Sequence, residues 1–185
     1  MILSVRRVLL HEYGRYRTHL KALDTESKIL RFGAAISNES IDTLCDKIEA
    51  DKENHVLFCI ENDLLEFVAV GHIALQGEME LAFSVWKQHQ GQGMGNALMK
   101  RCIRYCRTHN VLKGCMICLS HNATIQHLCR KYGIKLQNDH GEILASIELD
   151  HPDMLTYVTE QVDSNMAAAN YIAKRFSPYR FTSGI

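Results

Sequence analysis

The order of patterns along the chain predicts one layered α/β domain built on a mixed sheet with helices on both faces. Three observations carry that expectation. Helical spacings fill residues 13–50, three strand patterns follow in close succession between 55 and 86, and helix, strand, helix and strand then alternate to residue 149. A length of 185 residues suits one domain with a real core and is short for two. We read residues 1–150 as that domain and 151–185 as a helical tail.

Residues 6–12, RRVLLHE, read as a short strand. The next segment, YGRYRTHLKAL, has helical spacing at Tyr16, Leu20 and Leu23. SNESIDTLCDKIEA reads as a helix with Ser37, Asn38 and Ser40 as candidate N-caps and Ile41, Leu44, Cys45 and Ile48 on one apolar face. HVLFCIEN, LLEFVAVGHIALQ and MELAFSVW are strands separated by END and QGE, which are turn chemistry, so they predict an antiparallel meander. A helix is expected from about Asn96 to His109, then a short apolar strand, CMICLS. ATIQHLCRKYG is a helix that Gly133 ends, and EILASIEL is a last strand with IKLQN beside it. In the tail, Leu155, Val158, Val162, Met166, Ala169, Ala173 and Phe176 recur at helical spacing, ahead of RFSPYRFTSGI.

Between the meander and the next helix, HQGQGMGN places Gly91, Gly93 and Gly95 within five positions. Glycines there contribute no packing, so the backbone must turn sharply or be approached closely. A strand entering such a turn and leaving as a helix aims successive N–H groups at one point, where the helix N-terminus adds partial positive charge; the arrangement suits a phosphate. The spacing is not GxxxxGK[ST], which excludes a nucleoside-triphosphate P-loop, and it misses the dinucleotide fingerprint as well.

Gln90-Gly91-Gln92-Gly93-Met94-Gly95 resembles the [RQ]-x-x-G-x-[GA] motif of the GNAT superfamily of N-acetyltransferases. The context agrees: LAFSV ends five residues before Gln90, CMICLS follows the helix, Asn122 opens the next helix and KYGI closes it. The resemblance covers residues 55–149 well, the first 54 loosely and the tail not at all. It implies a mixed, mostly antiparallel sheet of six to seven strands. It also implies acetyl-CoA as cosubstrate, its pyrophosphate on the N–H groups of Gln90, Gly91, Gln92, Gly93, Met94 and Gly95. The pantetheine arm would pair with the backbone of Phe83, Ser84 and Val85, and Asn122 would bond its thiol end.

Acetyl transfer to an amine needs a base for the amine, a donor for the oxyanion and a proton for the departing thiolate. The resemblance implies that a backbone N–H on the fourth strand holds the oxyanion, by position that of Val85 or its neighbour. Glu80 is the expected base. Alternation puts Glu80, Ala82, Ser84 and Trp86 on one face of the strand, and a half-buried acid amid apolar neighbours would have a raised pKa. Relatives that acetylate protein lysines, a bacterial branch this chain resembles, often carry Glu there, and an RF segment like Arg31-Phe32, which we place in a loop lining the acceptor side. The acid departs from the family. Its usual Tyr position is Cys129 here, since Tyr132 abuts Gly133 and points elsewhere; Cys129 either donates weakly or simply packs. His121, His72 and Glu66 are further relay candidates.

The formal charge is zero and pI about 7.1, giving no case for nucleic acid or an anionic membrane. No apolar run approaches the ~18 residues of a membrane span, no signal peptide is read, and a cytoplasmic location is expected. Seven cysteines, an odd number within helix and strand patterns, read as reduced core residues. Cys115 and Cys118 point to opposite faces of one strand, so no metal is expected. Two alternatives to the enzyme stand: a non-catalytic acyl-CoA-binding domain, and a module whose tail pairs two copies. The tail could equally fold back as a lid over the acceptor cleft. The acceptor is a small amine or a protein lysine.

Overall fold

The computed structural model describes residues 3–176. Seven strands form one sheet: β1 (Arg6–Arg7), β2 (His55–Glu61), β3 (Phe67–Ala74), β4 (Met79–Val85), β5 (Lys113–Leu119), β6 (Lys135–Asp139) and β7 (Glu142–Glu148). Their order is β1-β2-β3-β4-β5-β7-β6. Every neighbouring pair is antiparallel except β4 with β5, which run parallel. The described residues include six α-helices: α1 (Tyr13–Lys21), α2 (Thr25–Phe32), α3 (Asn38–Ala50), α4 (Met94–Thr108), α5 (Ala123–Lys131) and α6 (Met154–Arg175). No helix among the described residues is long and apolar enough to cross a membrane.

The meander is buried on both faces. Leu57, Cys59 and Val70 turn to one side and join Tyr16, Leu20, Ile41, Cys45 and Ile48 from α1 and α3. Val56, Phe58 and Ile73 turn to the other and join Leu98, Met99 and Cys102 of α4. Period-2 alternation therefore feeds two cores from the same strands. Helix α3 begins where Ser37 accepts a hydrogen bond from the Ser40 N–H at 3.2 Å. The expected strand over residues 6–12 shrinks to Arg6–Arg7 followed by a single 3-10 turn. Arg6 lies buried between Glu12 at 2.6 Å and Glu61 at 2.7 Å, and this paired charge pins β1 to β2.

Residues 25–32, read from sequence as part of a loop, form α2. Asp24 caps it, accepting from the Ser27 N–H at 3.1 Å, and Gly33 ends it in the left-handed region at φ 77°. Helix α4 starts at Met94, two residues before the expected Asn96, because Gly93 at φ 78° turns the chain straight into it.

The tail forms α6, capped by Asp153, which accepts from the Thr156 N–H at 2.8 Å. It lies along α4 and reaches β1. Arg101 donates to Ser164 Oγ at 2.7 Å, Arg104 bonds Asp163, Ala167 is buried, and Lys174 donates to the Glu61 carbonyl at 2.7 Å. The end of RFSPYRFTSGI, residues 177–185, lies outside the described residues.

Candidate active-site cleft

Strands β4 and β5 pair at only two positions, Met79 with Gly114 and Glu80 with Cys115, and then diverge. Gly114 makes the tight start of that divergence: a Cβ on it would stand 2.2 Å from the Met79 carbonyl oxygen. A cavity of about 340 Å³ opens beyond, between β4, β5, the end of α2 and the start of α5. Its polar lining includes Arg31, Glu80, Asn122 and Glu142, and Phe32, Phe83 and Ile125 are among its apolar walls.

The free edge of β4 faces this cavity. The Trp86 N–H bonds the Val68 carbonyl on β3 at 2.9 Å, and hydrogen-bonding direction alternates along an antiparallel strand. Ser84, Ala82 and Glu80 therefore direct their backbone groups to β3, while Leu81, Phe83 and Val85 direct theirs toward the divergence. Of the expected trio, Phe83 and Val85 keep backbone groups on the cleft side. Ser84 does not: its backbone serves β3, and its buried hydroxyl donates to His19 Nε2 at 2.8 Å. His19 Nδ1 in turn donates to the Phe67 carbonyl at 2.6 Å. Burial pushes the His19 pKa down to about 4, so the ring is neutral and can accept.

The glycine loop follows directly. Gly91 and Gly93 have φ of 72° and 78°, a region L side chains rarely adopt, and a Cβ on Gly91 would meet nothing within 4 Å. The space over that residue is open. Among the described residues, no group accepts from the N–H of Gly91, Gln92, Gly93, Met94 or Gly95; the first bond of α4 is Ala97 N–H to the Gly93 carbonyl, 3.0 Å. Five adjacent donors at a helix N-terminus fit a diphosphate. The Gln90 N–H is not one of them, because it donates to the Lys87 carbonyl at 3.2 Å. The Gln90 side chain instead ties the loop down, donating to the Val85 carbonyl and to Ser27 Oγ, both at 3.2 Å. Gly95 has a packing reason: a Cβ there would come 3.3 Å from Leu128 of α5.

Asn122 lines the cavity and caps α5, its Oδ1 accepting from the Ile125 N–H at 3.3 Å. Glu80 also lines it, but its side chain is exposed, not half-buried as the strand pattern led us to expect. Cys129 is corrected more firmly. It is wholly buried in the core, is absent from the cavity wall, and burial pushes its thiol up to about 11. The helix that carries it turns that position toward the sheet, so it packs and does not donate. His72 is buried against His55, ring nitrogens 2.9 Å apart, and held neutral by burial and by Arg31, its pKa pushed down to about 3. Sequence reasoning missed Glu142, at the start of β7, and the Ser84–His19 pair; no local signal marks contacts between residues 65 apart.

Residues 23–142 match the family model of the acetyltransferase (GNAT) domain. Since that match spans well over half of the chain, the protein belongs to the GNAT acetyltransferase family. Solved structures share its fold. The GNAT domain of PAT from S. lividans is 20% identical with a TM-score of 0.65, covering 78% of this chain and 89% of that one. The ribosomal-protein-S18-alanine N-acetyltransferase from Escherichia coli is 12% identical with a TM-score of 0.60, covering 83% and 97%. The PaiA N-acetyltransferase from Thermoplasma acidophilum, solved in complex with coenzyme A, is 11% identical with a TM-score of 0.59, covering 80% and 99%. No curated protein matches the sequence.

Proposed function

We propose that the protein transfers an acetyl group from acetyl-CoA to a primary amine, a protein lysine or a small amine, by direct attack. The observation that carries this reading is the divergence of β4 and β5, which opens a cavity lined by Glu80, Phe83 and Asn122, with the unbonded N–H groups of the glycine loop following β4 in the chain. The diphosphate would lie on the N–H groups of Gly91 to Gly95, and the pantetheine arm along Phe83 and Val85. Membership of the GNAT family and the coenzyme A bound by the Thermoplasma protein support that ligand.

Glu80 takes the proton from the ammonium form of the acceptor, and the amine nitrogen attacks the thioester carbonyl. The Val85 N–H holds the resulting oxyanion. The C–S bond then breaks, the attacking nitrogen gives up its second proton to water, and the thiolate takes a proton from water, since Cys129 lies out of reach. A positioned general base contributes typically 10²–10⁴-fold.

The test is thiol release from acetyl-CoA in the presence of a mixed amine and peptide library, for the parent and for Glu80→Gln. The parent should release thiol with some acceptor. Glu80→Gln should lower kcat about 100-fold or more while coenzyme affinity by calorimetry holds. Binding without thiol release from any acceptor would replace this reading with the non-catalytic acyl-CoA-binding domain.

A further inference from the structure

Among the described residues, nothing partners the face of α6 turned away from the body. Starting at Leu155, steps of 3, 4, 3, 4, 3 and 4 reach Val158, Val162, Asn165, Ala169, Ile172 and Phe176. All seven are exposed. Among the large ones Leu155 is 70% exposed, Val162 48% and Phe176 74%. The opposite face is the docked one, where Thr156, Asp163, Ser164, Ala167 and Lys174 meet α4 or the β2 end, or are buried. One helix thus carries two stripes, and only one is used.

A strict 3–4 alternation over three heptads is the spacing that a second helix of the same period fills, knob into hole. The body-facing residues do not share that stripe. The positions flanking it, Thr159, Gln161, Met166, Ala168 and Ala173, are uncharged, and Arg175 is the exception near its end. The acidic residues of α6, Glu160 and Asp163, are turned inward onto Arg101 and Arg104 and leave no like charge on the stripe to repel a copy. Asn165 stands at the middle of the stripe. Beside its own copy it would find an amide to bond, which is the way a single polar seam residue sets register.

We infer that this stripe is the interface of a homodimer, its occupant a second copy of α6. From their exposed fractions the apolar seam and flanking residues offer roughly 600–700 Å² per copy, on the order of 1,300 Å² in total, within the range of specific interfaces. A two-fold arrangement matches the stripe with itself and closes without leaving a further sticky face. The dimer leaves the cleft between β4 and β5 open, because no residue of α6 lines it.

Sedimentation equilibrium of the full chain, without coenzyme, tests this between about 1 and 100 µM. The expected species at the upper end has twice the monomer mass of 21.1 kDa. Val158→Glu together with Val162→Glu should be monomeric throughout, with unchanged far-ultraviolet circular dichroism and unchanged coenzyme binding showing that the body is folded. Asn165→Leu should move the opposite way, tightening association at least tenfold. A parent that stays monomeric at 100 µM, as it would if the stripe belonged to a different protein, overturns the inference. So does a dimer that the double glutamate variant leaves intact. Neither result bears on the acetyl-transfer reading, which is read by thiol release.

Discussion

Gly114→Ala tests whether the close contact at the start of the cleft holds the site together. The added Cβ would stand 2.2 Å from the Met79 carbonyl oxygen, 2.8 Å from Met79 Cγ and 2.9 Å from the Met79 carbonyl carbon. Two of those atoms are backbone, so no rotamer change relieves the clash. Gly114 is not among the residues of positive φ, so alanine is otherwise welcome there and the effect is purely steric. To reach ordinary van der Waals separation, β4 and β5 must move apart by roughly 1 Å or more. That motion acts at the only two positions where the strands pair, Met79 with Gly114 and Glu80 with Cys115. Overpacking costs about 1–3 kcal/mol and each lost hydrogen bond about 1 kcal/mol, so the total is on the order of 3–5 kcal/mol. Set against a typical domain stability of about 5–15 kcal/mol, the variant should be severely weakened. With a urea m-value of about 2 kcal/mol/M, the unfolding midpoint should fall by roughly 1.5–2.5 M. Gly14→Ala is the matched control: it lies inside α1, a Cβ there meets nothing within 4 Å, and helix propensity predicts a gain of about 0.5–1 kcal/mol. A Gly114→Ala midpoint indistinguishable from that of the parent would refute the reasoning, because it would mean the strands are not in contact at the apex of the divergence.

Gly91→Ala should cost only about 1–2 kcal/mol of stability, from its φ of 72°, because the space around it is free of protein; coenzyme affinity by calorimetry should nevertheless fall more than tenfold, and an unchanged Kd would reduce the loop to a plain turn. His19, held near pKa 4 by burial, binds no proton in the folded state between about pH 6.5 and 4, whereas the unfolded chain does, so its contribution is complete above 6.5 and is lost as pH falls toward 4. The loss is on the order of 3 kcal/mol; urea midpoints measured across that window should drop in the parent and drop less in His19→Gln, and equal slopes would contradict the neutral, buried ring.

Local chemistry made much of the fold legible. The three meander strands alternate with period 2, Ser37 and Ser40 mark the start of α3, and the tail repeats at helical spacing; each signal acts within a few residues, so it can be read without knowing neighbours. Helix α2 was equally legible in principle, since Asp24 and Gly33 bracket it as cap and stop, but TESKILRF is short and its apolar positions are few. The cleft was half legible. The glycine loop declared itself, because only a backbone meant to be approached spends glycines that way. The exposure of Glu80, the burial of Cys129 and the approach of Glu142 depend on elements far apart in the chain, and no window of sequence contains them.

What the sequence alone determined is the set of elements, the bare loop between β4 and α4, and membership in a class of fold that presents such a loop. The tertiary structure decided which of those groups are free to act. The Gln90 amide and the Ser84 backbone are already bonded, Cys129 is sealed in the core, and one stripe of α6 is docked while the other faces outward. Availability is a property of surroundings: a donor or an acid is competent only where packing leaves it unpaired and reachable, and packing is settled by contacts across the whole chain.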